Sequence, residues 1–174
     1  AWLLGGTLSA PTLQAMSRWK QMSSADRPPN RADSILNETH RAITARIADL
    51  IIPRTDTPGA LDTGVPDFIG MILRDCYGKP EQDTFLAGLA DLERNGFLTL
   101  TPDQQTDVLT QMETKAIKGN NVTFWRLIKE QTLLGYFTSE AGIKASFDYQ
   151  PIPGRFEAIT IKPGQKDFMY GNKV

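Results

Sequence analysis

The stretch Leu50–Phe68, LIIPRTDTPGALDTGVPDF, joins two apolar periodic segments through a dense run of prolines, glycines and aspartates. Pro53 stops the segment before it, because proline lacks an amide donor and its ring clashes with the preceding turn. Pro66 stands where the first turn of a helix tolerates proline. The pattern predicts two helices held by a rigid, specified loop, and its surroundings extend that reading to a helical domain.

Upstream, Asn37 is placed to cap a helix in which Ile43, Ile47, Leu50 and Ile51 recur at helical spacing, about four turns in all. Downstream, Val65, Phe68, Ile69, Ile72, Leu73 and Cys76 mark a second helix that Gly78 is expected to close. Pro80 opens a third, with Phe85, Leu86, Leu89, Ala90 and Leu92 on one face and Asn95-Gly96 as a left-handed stop. The clearest start is the fourth: Thr101 caps, Pro102 takes the first helical position and Gln104 completes a capping box before Val108, Leu109, Met112 and Ala116. A fifth, from Val122 through Trp125, Leu127 and Ile128 to Leu134, is apolar around much of its circumference and should lie at the centre, ending at Gly135. Ser139 caps a short sixth that reaches Ala145.

No period-2 strand signal appears before Ala158-Ile159-Thr160-Ile161, and four residues make no sheet alone. The expected architecture is therefore all-α: a single helical domain of five or six helices over residues 33–147, with extended N- and C-terminal tails. The first tail comprises an apolar segment, 1–20, and a linker, 21–32, that carries Pro28-Pro29. The second, residues 148–174, alternates prolines and glycines with bulky apolar side chains, as a surface-bound tail does.

The 174 residues are one domain's worth, and 40% hydrophobic with 22% charged is ordinary globular composition. Nineteen basic against twenty acidic residues give a formal charge of -1, which offers no footprint for nucleic acid or an anionic membrane. One cysteine, Cys76, and one histidine, His40, exclude an internal disulfide and a Cys/His zinc cluster by arithmetic. Cys76, in its helical apolar pattern, reads as a small buried hydrophobe, and His40 as a surface or capping side chain.

The start, Ala1 to Ala10, resembles the apolar centre and cleavage region of a secretory signal, and it is too short for a membrane span. Export is the natural reading; the alternative is a core helix opening the domain, which Gly5-Gly6 and Pro11 fit poorly. Trp2, Leu3 and Leu4 need cover from a partner, a detergent or the domain itself.

A catalytic site needs a nucleophile with a base, a tuned carboxylate pair, or a cofactor cradle, and no dinucleotide, Walker or nucleophile-elbow motif is present. Asp56 and Asp62, with the carbonyls between them, offer the best cation candidate, although EF-hand spacing is not matched. The same residues also read as turn and cap, Asp62 or Thr63 capping the helix near Val65. Trp125, Tyr136 and Phe137 read as core or interface anchors.

Ile51-Ile52-Pro53, Asp56-Thr57-Pro58-Gly59-Ala60 and Gly64-Val65-Pro66 resemble the first signature of the gluconate 2-dehydrogenase subunit 3 family. Gly135-Tyr136-Phe137-Thr138-Ser139-Glu140 with Gly142, then Tyr149 and Pro153-Gly154, resemble the second. The resemblance implies a small, non-catalytic subunit of a periplasmic sugar dehydrogenase. No cofactor is expected in this chain; the large partner is a glucose-methanol-choline-type subunit that holds FAD and commonly passes electrons to a c-type cytochrome. The small subunit is expected to assist folding and export of that partner, through a twin-arginine signal whose paired arginines would precede Ala1. A free-standing exported scaffold or a metal-binding protein is the alternative. On the family reading, partner contacts are expected at Trp2, Pro58, Gly59, Tyr136, Phe137, Tyr149, Pro153 and Phe156.

Overall fold

The computed structural model describes residues 35–118, 122–150, 163–164 and 168–170, together with residues 10 and 14, both helical and exposed. Over the described residues between 35 and 150 six helices build the body, within the five or six expected: α1 (Glu38–Ile51), α2 (Val65–Asp75), α3 (Lys79–Arg94), α4 (Pro102–Lys118), α5 (Phe124–Thr138) and α6 (Glu140–Ser146), with a 3-10 turn at Phe97–Thr99.

Helix starts follow local chemistry. The Asn37 side chain accepts from the His40 amide at 2.7 Å. Thr101 and Gln104 form the reciprocal box, with the Thr101 amide donating to Gln104 Oε1 at 3.0 Å and the Gln104 amide to Thr101 Oγ1 at 3.4 Å. Thr123 and Ser139 cap α5 and α6 by accepting from the amides of Arg126 and Gly142.

Helix ends depart from the sequence reading in two places. Gly78 does not close α2: the helix ends at Asp75, and Gly78, in extended conformation, is the N-cap of α3. Gln82 of α3 substitutes for a glycine stop, its side-chain amide donating to the carbonyls of Leu73 and Tyr77 at 3.0 and 3.2 Å. Gly135 does not end α5, which continues to Thr138. A Cβ at Gly135 would lie 2.7 Å from Phe68 Cδ1, so glycine is there to let α2 cross α5 closely, not to break the helix.

Helix α5 packs against α1, α2, α3, α4 and α6 and is the central element that its apolar circumference predicts. Ile43 and Ile47 of α1, Val65, Ile69 and Ile72 of α2, Phe85 and Leu89 of α3, and Leu127 and Ile128 of α5 are buried together, and the rings of Phe85 and Phe124 meet edge to face at 5.2 Å. Cys76 is buried in this core. His40, besides sitting in the capped turn, places Nε2 3.2 Å from Glu93 Oε2 and so ties α1 to the end of α3. Helix α4 is the outlier, burying only Gln105 and Leu109. Gln105 accepts from Arg46 Nε at 2.7 Å and donates to the Phe97 carbonyl at 2.9 Å, a polar clamp between α1, the 3-10 turn and α4.

After α6, Asp148–Gln150 (β1) pairs in parallel with Phe168–Tyr170 (β2), Asp148 opposite Phe168. Three-residue strands carry too little alternation to register in sequence. The strand expected at 158–161 lies outside the described residues. Among the described residues no helix is long and apolar enough to cross a membrane.

Candidate interface

The loop between α1 and α2 is built by its own polar groups. The Ala60 amide donates to the Ile52 carbonyl at 2.9 Å, and the Val65 amide to the Ala60 carbonyl at 3.1 Å, so the chain leaves α1, doubles back and enters α2 from a fixed point. Asp62 accepts from the Gly59 amide at 2.8 Å and forms an ion pair with Arg54, whose Nε lies 3.3 Å away. Thr63 Oγ1 donates to the Ala60 carbonyl at 3.1 Å. Neither residue caps α2. Gly64 does so from the left-handed region at φ 73°, where a side chain would be strained. Asp56 accepts from its neighbour Thr55 Oγ1 at 3.0 Å. The two carboxylates weighed as cation ligands thus act within the loop, and among the described residues no cluster of three metal-ligating side chains occurs. Asp62→Ala is expected to cost about 1 kcal/mol, the worth of a charge-assisted bond in a half-exposed site, and to raise proteolysis after Arg54; urea denaturation and a trypsin time course measure both.

The second signature grips this loop. Tyr136 Oη donates to the Pro58 carbonyl at 2.9 Å across 78 positions of sequence. Tyr136 is only 4% exposed, so the ring is core and the hydroxyl fastens the loop to α5. Below it the turn between α5 and α6 closes on the same residue: the Ser139 amide and Ser139 Oγ both donate to the Tyr136 carbonyl, at 3.1 and 2.7 Å. The Phe137 ring stands edge-on to Tyr136 at 5.1 Å and to Phe147 at 6.1 Å, and these contacts lead into β1.

Of the partner contacts expected from the sequence, Gly59 and Tyr136 are buried, Pro58 and Phe137 are half-buried, and Tyr149 is 40% exposed. Trp2, Pro153 and Phe156 lie outside the described residues. The outward surface of the site is instead the run Pro53–Thr57 with Leu61, which is 48% exposed. Leu61 was not singled out in sequence, where an apolar residue inside a loop carries no periodicity to mark which way it faces.

Where α1 runs into the loop, a cavity of about 340 Å³ opens between α1, α4 and α5. Leu50, Ile51, Leu109 and Trp125 supply its apolar lining. Thr106, Thr110, Glu113 and Lys129 supply the polar part. Glu113 accepts from Lys129 Nζ at 2.7 Å and from the indole N–H of Trp125. Burial alone would raise the Glu113 carboxyl, but the hydrogen bonds from Lys129 and Trp125 and the Lys129 charge outweigh it and hold the group below its ordinary value. A carboxyl lowered in the folded state stabilises fully above the unfolded value, near 4.3, and that contribution is lost as pH falls through the lower folded value. Glu113→Gln is therefore expected to flatten the acid limb of a melting-temperature profile taken from about pH 3 to 7.

The gluconate 2-dehydrogenase subunit 3 family model matches residues 38–154, from the first turn of α1 to beyond β1. The chain belongs to this family. The match spans both signatures and the contact that joins them, and it makes the protein a member of a family of dehydrogenase-complex subunits. Searches of curated proteins and of solved structures returned no match.

Proposed function

We propose that this chain is the non-catalytic small subunit of a periplasmic dehydrogenase complex in which a larger glucose-methanol-choline-type flavoprotein holds FAD and oxidises a sugar hydroxyl, with a c-type cytochrome as electron acceptor. Its task on this reading is to help that subunit fold, persist and be exported, by the twin-arginine route.

The observation that carries the reading is the bond from Tyr136 to Pro58, because it joins the two stretches that resemble the family's signatures, both within the matched residues 38–154. Asp62, Thr63, Ser139 and the Tyr136 hydroxyl all bond within the protein and fix the inner side of the loop, from which the exposed edge Pro53–Thr57 projects. A preorganised edge of that kind costs little entropy on association, which favours tight, specific docking.

Co-expression tests the proposal. The flavoprotein made with this chain should load FAD and reach the periplasm, and made without it should accumulate as apoprotein in the cytoplasm. Equal flavin content and equal export in both cases would dispose of the reading.

A further inference from the structure

The cavity at the junction of α1, α4 and α5 has a composition that specifies what fits it. Helix α4 presents Thr106 and Thr110 there, one turn apart and both exposed, beside the buried Leu109. Both hydroxyls already donate to carbonyls one turn back, those of Pro102 and Thr106, at 2.9 and 2.8 Å, so they offer acceptor lone pairs and no free donor. Glu113 has one donor on each carboxylate oxygen and accepts more, while Lys129 Nζ has two further N–H groups beyond the one given to Glu113. The lining therefore combines an apolar half with a polar wall that is net neutral and both accepts and donates.

A charged occupant would meet its like charge on one member of the Glu113–Lys129 pair, and a purely apolar one would leave that pair desolvated without compensation. A planar apolar ring ending in one hydroxyl satisfies both halves. At about 340 Å³ the cavity is at the small end of ligand pockets, suited to one such ring and not to a dinucleotide. Two of its lining residues, Leu50 and Ile51, stand just before the exposed run Pro53–Thr57 in the chain.

We propose that this cavity receives a tyrosine side chain of the flavoprotein subunit, its ring against Leu50, Ile51 and Leu109 and its hydroxyl on the Glu113–Lys129 pair. The inference rests on the small-subunit reading and adds the anchor by which that contact is made; buried tyrosines are frequent hot spots of such interfaces.

The test uses the co-purified complex. Thr110→Phe and Thr106→Leu fill the cavity from exposed positions of α4, and circular dichroism identifies which of them keeps native helicity. A folded variant should retain the flavoprotein at least tenfold less tightly than the wild type. In the wild-type complex p-cresol, a tyrosine side chain without a backbone, should release the flavoprotein at several-fold lower concentration than toluene, and glucose should not release it. Retention within twofold of wild type in the folded variants overturns the proposal, as does release by toluene as readily as by p-cresol, or release by glucose, which would mark a sugar site. A wild-type chain that retains no flavoprotein at all fails the small-subunit reading, whereas intact wild-type retention with unaffected variants fails the tyrosine anchor alone.

Discussion

Tyr136→Ala is expected to destabilise the domain by about 4 kcal/mol, the usual cost of deleting a buried aromatic ring. Tyr136→Phe is expected to cost about 1–2 kcal/mol, because it keeps the ring and removes only the donor to the Pro58 carbonyl. The two variants should differ in kind as well as size. Loss of the ring opens the core shared with Phe137 and should lower the midpoint of global unfolding. Loss of the hydroxyl frees the loop, so amide exchange should quicken at residues 55–60 while α5 stays protected. Chemical denaturation and hydrogen exchange on both variants separate the effects. A phenylalanine variant with unchanged loop exchange would mean that the Tyr136 bond does not hold the loop.

The second large effect is at Gly142, in the first turn of α6. A Cβ there would run into the Tyr136 carbonyl, a backbone atom with no freedom to move aside, and would also press on Ser139 Oγ at 2.9 Å. That carbonyl is the acceptor for both Ser139 donors. Gly142→Ala must therefore displace α6 or break the turn, and a cost of roughly 3 kcal/mol is expected from overpacking against backbone together with the lost turn bonds. The intrinsic preference of helices for alanine over glycine works in the opposite direction by about 1 kcal/mol, so a net loss of stability in urea denaturation distinguishes the steric account. Stabilisation would show that the turn yields.

These two residues also mark what was legible in the sequence. The helices were readable because their signals are local: Asn37 caps within its own turn, and the Thr101–Gln104 box closes over three residues. The central place of α5 followed from an apolar circumference that only a buried helix keeps. Gly135 misled for the opposite reason. A glycine at the end of a periodic run reads as a stop, whereas its cause here is Phe68, on another helix and far along the chain. Gly78 misled in the same way, since the carbonyls it was expected to satisfy are served by Gln82.

The loop was recognisable as a specified unit, but its fastening to Tyr136 spans 78 positions, and no spacing rule reports such a contact. Whether Tyr136 serves core or interface was left open in the sequence for the same reason, because the residue is as compatible with a core as with a surface until its neighbours are known. The cavity was invisible for a simpler reason. Periodicity records where apolar residues recur within one helix, and the cavity is lined from three helices, with Thr106, Thr110, Glu113 and Lys129 outside any apolar pattern.

On the proposed function this chain serves contact and assembly, through the loop edge, the tyrosine that fastens the loop and the cavity beside it. Native mass spectrometry of the complex purified from its natural source tests that claim most directly. The spectrum should show this chain bound to a larger subunit whose mass includes one FAD, with the flavin leaving alongside the large subunit on dissociation. A spectrum dominated by this chain as a free monomer, or one in which the flavin stays with it after the subunits part, would contradict the account.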